Sequence, residues 1–193
     1  MKQTGPSAAL ALLFALSALG AGDIEAQASS CQFRGEPAAL AERPSPLDSV
    51  EVRLGDAAAK LCYGRPSARG RTMIGGEDPY GSPWRLGANE PTTLHLPFPA
   101  TIGNVPVQPG SYSLYAIPEQ GAWTIVVNGN TNRWGIPINP DVRRSDIGSF
   151  EVETMPTSSH VETMTFRFEG SGTSGALVFA WENTMFRIPI TRR

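Results

Sequence analysis

Three arginines, Arg65, Arg69 and Arg71, stand close together just after an apolar run with strand character. Guanidinium forks at this spacing suit a carboxylate or phosphate, which each fork can grip through two parallel N–H bonds. The same forks could instead fasten their own loop by pairing with Glu77, Asp78 or Glu90. A second set follows in WRLGANE, where Trp84, Arg85, Asn89 and Glu90 bring an aromatic face, a donor fork, an amide and a carboxylate together. Such a set can hold a sugar or another polar ligand by stacking and hydrogen bonding. It can equally pin a loop, with Gly87 allowing a turn, Asn89 capping it and Glu90 pairing with an arginine. Pinning is the larger part of its expected role. Trp134, beside Asn132 and Arg133 in another polar stretch, is a further ligand-contact candidate, and packing beneath its own loop suits it equally well.

Catalysis finds little support. A nucleophile needs a base within hydrogen-bond reach, and the chain has two histidines. His95 alternates with Leu94 and Leu96 and reads as easily as a solvent-facing strand residue. His160 sits in a polar TSSH turn. Ser67 is not part of a G-x-S-x-G elbow. Glu90 with Asp78 or Asp141 could be nominated as an acid/base pair, as could any two carboxylates. No His or Cys lies at ligand spacing from either cysteine, so no metal site and no cofactor are expected.

The elements that must position these residues are strands. Period-2 alternation marks Val50–Leu54 and Thr92–Phe98, with Ala57–Tyr63 following a Gly55-Asp56 turn. Ala100–Ile102 and Val105–Val107 read as a hairpin across Gly103-Asn104. Gly110–Pro118 pairs naturally with Ala122–Asn128. Phe150–Met155, Val161–Glu169, Gly175–Trp181 and Met185–Thr191 read as a closing meander. Short strands at this spacing, with 17 Pro and 20 Gly along the chain, predict an all-β single-domain antiparallel sandwich of jelly-roll type. Two stretches, 64–91 and 129–146, are too long to be ordinary connections. Their aromatic residues predict loops that cover the sandwich rather than disorder. Glu90 is expected near the mouth of these loops, held by at least one of Arg65, Arg71 and Arg85. Asp141 is expected on a solvated loop tip.

The N-terminus reads as a secretory signal. An apolar run from Ala8 to Leu19 is too short to span a bilayer, which takes roughly 20 residues, and Ala26-Gln27-Ala28 supplies a small-x-small cleavage site. The expected organisation is a signal peptide over 1–28, an N-terminal extension over 29–48 and the sandwich over 49–193, with a periplasmic or extracellular location. Lipidation at Cys31 is the lesser alternative, because Ala28 rather than a Leu-like residue stands three positions before it. Removing 1–28 leaves 15 basic and 16 acidic side chains, a balance that argues against a nucleic-acid partner, which usually needs a basic face or stripe. In an exported chain, Cys31 and Cys62 predict one disulfide, stabilising by about 3–4 kcal/mol on the chain-entropy account.

RPSARGR, PYGSPWRLGANEPTTL, GSYSLYAIP, AWTIVVN, RWG and FAWENTMFRIPI together resemble an exported bacterial family, domain of unknown function 2911. The resemblance runs from about Pro44 to Ile190. It implies an exported β-rich domain and supplies no established activity, so no catalytic residue transfers. The chain departs from the family pattern at Ser82-Pro83, where Lys-Val is usual, and at IPINPDVRRSD, where an aromatic and acidic run is usual. Cysteine at both disulfide positions is not expected of the family. The functional expectation is a non-catalytic exported module binding a small polar ligand, a saccharide or an anion, beneath the long loops. The alternatives are a hydrolase using Glu90 with a second carboxylate, and a structural envelope protein.

Overall fold

The computed structural model describes residues 31–193, so the expected signal segment and its cleavage after Ala28 lie outside the described residues. Among the described residues ten strands form two antiparallel sheets. β1 (Leu47–Leu54), β2 (Ala57–Gly64), β3 (Thr92–Leu96), β6 (Gly110–Pro118), β7 (Ala122–Asn128) and β8 (Asp146–Glu153) make a six-stranded sheet in that order. β5 (Val105–Val107), β4 (Ala100–Ile102), β10 (Ser174–Arg192) and β9 (Met155–Ser171) make a four-stranded sheet. Two single-turn helices, α1 (Pro37–Leu40) and α2 (Pro140–Arg143), lie in the covering segments. The chain changes sheet only after β3, after β5 and after β8. The antiparallel all-β sandwich expected from the alternation is the observed architecture, and β1 begins at Leu47.

Alternation explains the core. In the large sheet Val52, Leu61, Leu94, Leu114, Ile125 and Val127 face inward and are buried, opposite Phe166, Phe179, Phe186 and Ile188 of the small sheet. Their burial removes apolar surface from water at roughly 25 cal/mol per Å2, and it fixes register, since a one-residue slip would turn each strand inside out.

The closing meander differs from expectation. Gly175–Trp181 and Met185–Thr191 are one strand, β10, which pairs with β9 in its first part and with β4 in its last. The ladder shifts register on either side of Glu182, whose φ is 51°. A bulge of this kind breaks the period-2 pattern while keeping the strand continuous, which is why the sequence reads as two strands. His160, expected in a turn, lies within β9 for a related reason: this edge strand is exposed on both sides there, so its residues need not alternate.

The outer face of the large sheet is polar and yet covered. Residues directly opposite across an antiparallel pair share a face. The register therefore puts Lys60, Cys62, Thr93, His95, Ser111, Ser113 and Asn128 together on the side away from the core. The N-terminal extension and the 129–145 loop lie over them, and every residue of β3 is buried as a result.

Candidate functional site

The two long loops are used differently. The first, 65–91, closes the sandwich. Its Trp84 exchanges both backbone hydrogen bonds with Ala116 of β6, at 2.7 and 2.8 Å, taking the place β3 has vacated. The side chain enters the core, stacked on Trp181 at 5.6 Å and edge-on to Trp123 and Phe179. Met73 and Ile74 are anchored by the bulge residue Glu182, whose carboxylate accepts from both of their amides at 3.0 and 2.8 Å. Ala88 lies so close to Gly64 that any Cβ at Gly64 would fall 1.9 Å from the Ala88 carbonyl oxygen.

The arginines of this loop do not converge on a common space. Arg65 donates to the Met164 carbonyl and the Thr165 hydroxyl and lies 3.6 Å from Asp48. Arg69 reaches the Pro44 carbonyl, and Arg71 the carbonyls of Ala68 and Ser67. Arg85 is half-buried with Nε on the Gly87 carbonyl. Burial pulls its guanidinium pKa down, opposed by the facing carboxylates of Asp78 and Glu90. Burial pushes the Asp78 carboxyl up to about 6, against Arg85. Asn89, at φ 63°, donates to the Ser45 carbonyl.

The second loop and the extension enclose space. A cavity of about 270 Å3 lies between Phe33 and Arg34 of the extension, Thr93 and His95 of β3, Glu90, and residues 131–133 of the second loop. The loop is set by a polar network. Asn128 donates to the Val142 carbonyl and to Asp146, both at 2.8 Å, and Tyr115 donates to Asp146 at 2.8 Å. Burial, with the Asp146 bond, pushes the Tyr115 hydroxyl up to about 12. Asn139 caps α2 through the Val142 amide. Arg133 turns inward onto the carbonyls of Asn130, Trp134 and Gly135, which leaves Trp134 exposed at the surface. The two loops meet where the Gly135 amide donates to the Asn89 carbonyl at 2.9 Å; a Cβ at Gly135 would strike both that oxygen and the Arg85 side chain.

Glu90 joins the cavity to its cover. It is buried, but its partner is neither Arg65, Arg71 nor Arg85: Arg43 of the extension donates to both carboxylate oxygens, at 3.0 and 2.8 Å, and the Arg34 amide donates at 2.7 Å. The three expected arginines are engaged elsewhere, largely by backbone carbonyls. Burial alone would raise the Glu90 pKa, but the Arg43 and Arg34 bonds outweigh it and hold the carboxyl below its usual value. Such a group is a poor general acid, and no second carboxylate lines the cavity among the described residues.

His95 is the residue most altered by the cover. It is 4% exposed rather than solvent-facing. Its Nδ1 pairs with the Ser111 hydroxyl at 2.8 Å, and its buried Nε2 has no hydrogen-bond partner among the described residues. Burial and, secondarily, the Lys60 charge lower its pKa, so the ring is neutral near pH 7. Buried polar atoms are nearly always paired, and leaving one unpaired costs about 1–3 kcal/mol. Phe33, Arg34, Arg43 and Thr93 carry no signal of their own in the sequence, and alternation leaves His95 as easily solvent-facing as not. The usable signal was the expected Cys31–Cys62 bond, present here with Cα atoms 5.6 Å apart. It carries residues 32–34 onto the face that bears His95.

A family model described as protein of unknown function (DUF2911) matches residues 45–190. The chain belongs to this family. In this DUF2911 member the matched span contains both long loops, His95 and Glu90, whereas Cys31, Phe33, Arg34 and Arg43 lie before it. The inner wall of the cavity thus falls within the family domain, and part of its outer wall does not. No curated protein and no solved structure gives a match. Among the described residues there is no metal-binding cluster of His, Cys, Asp or Glu, and no helix is long and apolar enough to cross a membrane.

Proposed function

We propose that this DUF2911 protein is an exported, non-catalytic module that binds a small polar ligand, a saccharide or an anion, in the cavity beneath its extension and second loop. The observation that carries the reading is His95: a cavity-lining side chain whose buried Nε2 has no hydrogen-bond partner among the described residues. The volume is slightly below the range of about 300–1,000 Å3 usual for small-molecule sites, which suits a ligand no larger than a single sugar ring. A hydroxyl group brought within reach of the buried His95 Nε2 by a small shift of the cover would satisfy it in either tautomer, being both donor and acceptor. A carboxylate or phosphate oxygen would satisfy only the Nε2–H form. Thr131 and Asn132 line the same space, and Phe33 adds an apolar side chain. Export is supported by the apolar N-terminal run and by the disulfide.

A thermal-shift panel of monosaccharides, polyols, phosphate and small organic acids tests this proposal. Binding raises stability by RT ln(1 + [L]/Kd), about 2.7 kcal/mol at a hundredfold excess over Kd. The expected result is a saturable shift that His95→Gln removes while keeping the melting temperature of the unliganded protein. A flat panel would favour a purely structural role. Turnover of a hit would make the module an enzyme.

A further inference from the structure

The cover over the cavity is unlike the rest of the described chain, because no residue from Cys31 to Pro46 is buried. It holds by polar attachment. At its far end Asn89 donates to the Ser45 carbonyl, Arg69 to the Pro44 carbonyl and the Arg65 amide to the Pro46 carbonyl. At its near end, over the cavity, the Arg34 amide donates to Glu90 and the Arg34 side chain to the Asn132 side chain and the Arg133 carbonyl. One covalent bond, Cys31–Cys62, fastens this near end directly to β2. Cys62 is itself a lining residue. Segments with little buried apolar contact open at low free-energy cost unless tied.

We propose that the Cys31–Cys62 disulfide is a redox latch: its reduction frees residues 31–34 and opens the cavity, and its oxidation closes the cover over whatever the cavity holds. The inference rests on the cavity being the ligand site. The reductant is a dithiol protein or small dithiol. Its thiolate attacks the Cys31 sulfur, which is the less buried of the two, Cys62 being 4% exposed. A mixed disulfide forms and Cys62 leaves as a thiolate. The second thiol of the reductant then displaces Cys31, leaving the reductant as its disulfide. Two electrons pass to the protein, and two protons accompany them once both thiolates are protonated. The cover is then held only by its hydrogen bonds and the Arg43–Glu90 ion pair, while the sandwich core, on the other face of the large sheet, keeps all its contacts.

The two histidines of the chain provide the test. Diethyl pyrocarbonate modifies neutral imidazole; His160 is half-exposed and serves as an internal reference for the buried His95. In the oxidised protein His160 should react and His95 should be protected. After reduction by a small dithiol, His95 should react at least about tenfold faster, as expected when a local segment opens, and near-ultraviolet circular dichroism from the Trp84–Trp123–Trp181 cluster should be unchanged. The Cys31→Ser/Cys62→Ser double variant should match the reduced protein without reductant. Continued protection of His95 in a reduced protein with an intact core overturns the latch, as does equal reactivity of both histidines in the oxidised form. Loss of the tryptophan signal on reduction also overturns it, making the bond a staple of the whole fold. The ligand panel is read separately on both forms: a saturable hit with unchanged His95 labelling removes the latch alone, and redox-gated labelling with a flat panel removes the ligand reading alone.

Discussion

The two long loops cover the same sandwich by opposite means. The first brings apolar groups inward and closes onto the core: Trp84 lies among Trp123, Phe179 and Trp181, and its arginines are taken up by carbonyls of the protein. The second, with the extension, lies on a polar sheet face and leaves a cavity and an imidazole nitrogen that no described residue pairs. A protein that needed only to shield its sheet would gain more from a cover built like the first. Apolar burial is concentrated in one loop, and the enclosed space lies beneath the other.

The comparison breaks most sharply at Trp84. Trp84→Ala should cost about 3–5 kcal/mol, as for other large-to-small changes at buried aromatics, read as a drop in the urea midpoint. A midpoint near that of wild type would mean that the first loop is no more integral than the second. Glu90→Gln should cost less, about 1–3 kcal/mol, since it weakens bonds to a charged acceptor that Arg43 and Arg34 reach from partly exposed positions. Its effect should also depend on pH. The folded pKa of Glu90 is depressed, so its contribution is present above the unfolded value near 4.3 and is lost as pH falls through the lower folded value. Wild type and Glu90→Gln should therefore converge in acid, and parallel curves from pH 7 to pH 3 would contradict this.

Asp78, in the first loop, has the opposite sign. With its pKa raised to about 6, its protonated form favours folding, so that contribution is full below the unfolded value and declines as pH rises to about 6. Asp78→Asn, which mimics the protonated acid, should stabilise the protein at pH 7 by about 1 kcal/mol after allowance for solvent screening, and should flatten the decline between pH 4 and 6. Destabilisation at pH 7 would show that Asp78 acts as an ion beside Arg85. Asp141→Asn sets the lower limit. Asp141 sits on α2 in an exposed pair with Arg144, so a change within about 0.5 kcal/mol is expected, and a larger loss would give the second loop a structural weight that its burial does not suggest.

The strands were legible because burial on one face writes a period of two into the chain. Thr92–Phe98 could be placed from alternation, with β3 ending at Leu96, and Gly110–Pro118 and Ala122–Asn128 from their pairing across a short turn. The continuity of β10 could not, since Glu182 in the left-handed region shifts the pattern by a residue without ending the strand. For the site, alternation assigns His95 to the face opposite Leu94 and Leu96 but says nothing of what lies on that face. The cover comes from residues 31–46, which carry no periodic pattern and no buried side chain. The same limit explains the partner of Glu90. Arg43 reaches it from far back in the sequence, through a segment whose path only the fold determines, while the nearer arginines are drawn to carbonyls that sequence does not display. Trp84 was readable as an anchor because a large aromatic in a long loop has few places to go but inward.

The bent β10 also orders events in time. Its last residues pair with β4, Ile190 opposite Ile102, and its first with β9, Ser174 opposite Ser171. As the chain emerges, β4 and β5 can form their hairpin early but have no further neighbour in their sheet until the last residues of β10 follow. The six-stranded sheet, by contrast, has all its members once β8 is made, and its inner face then waits uncovered. Closing contacts so distant in sequence is intrinsically slow. The interval between the completion of β8 and that of β10 is therefore when Leu94, Leu114 and Ile125 are most open to the wrong partner, and when a holding chaperone would have most to cover.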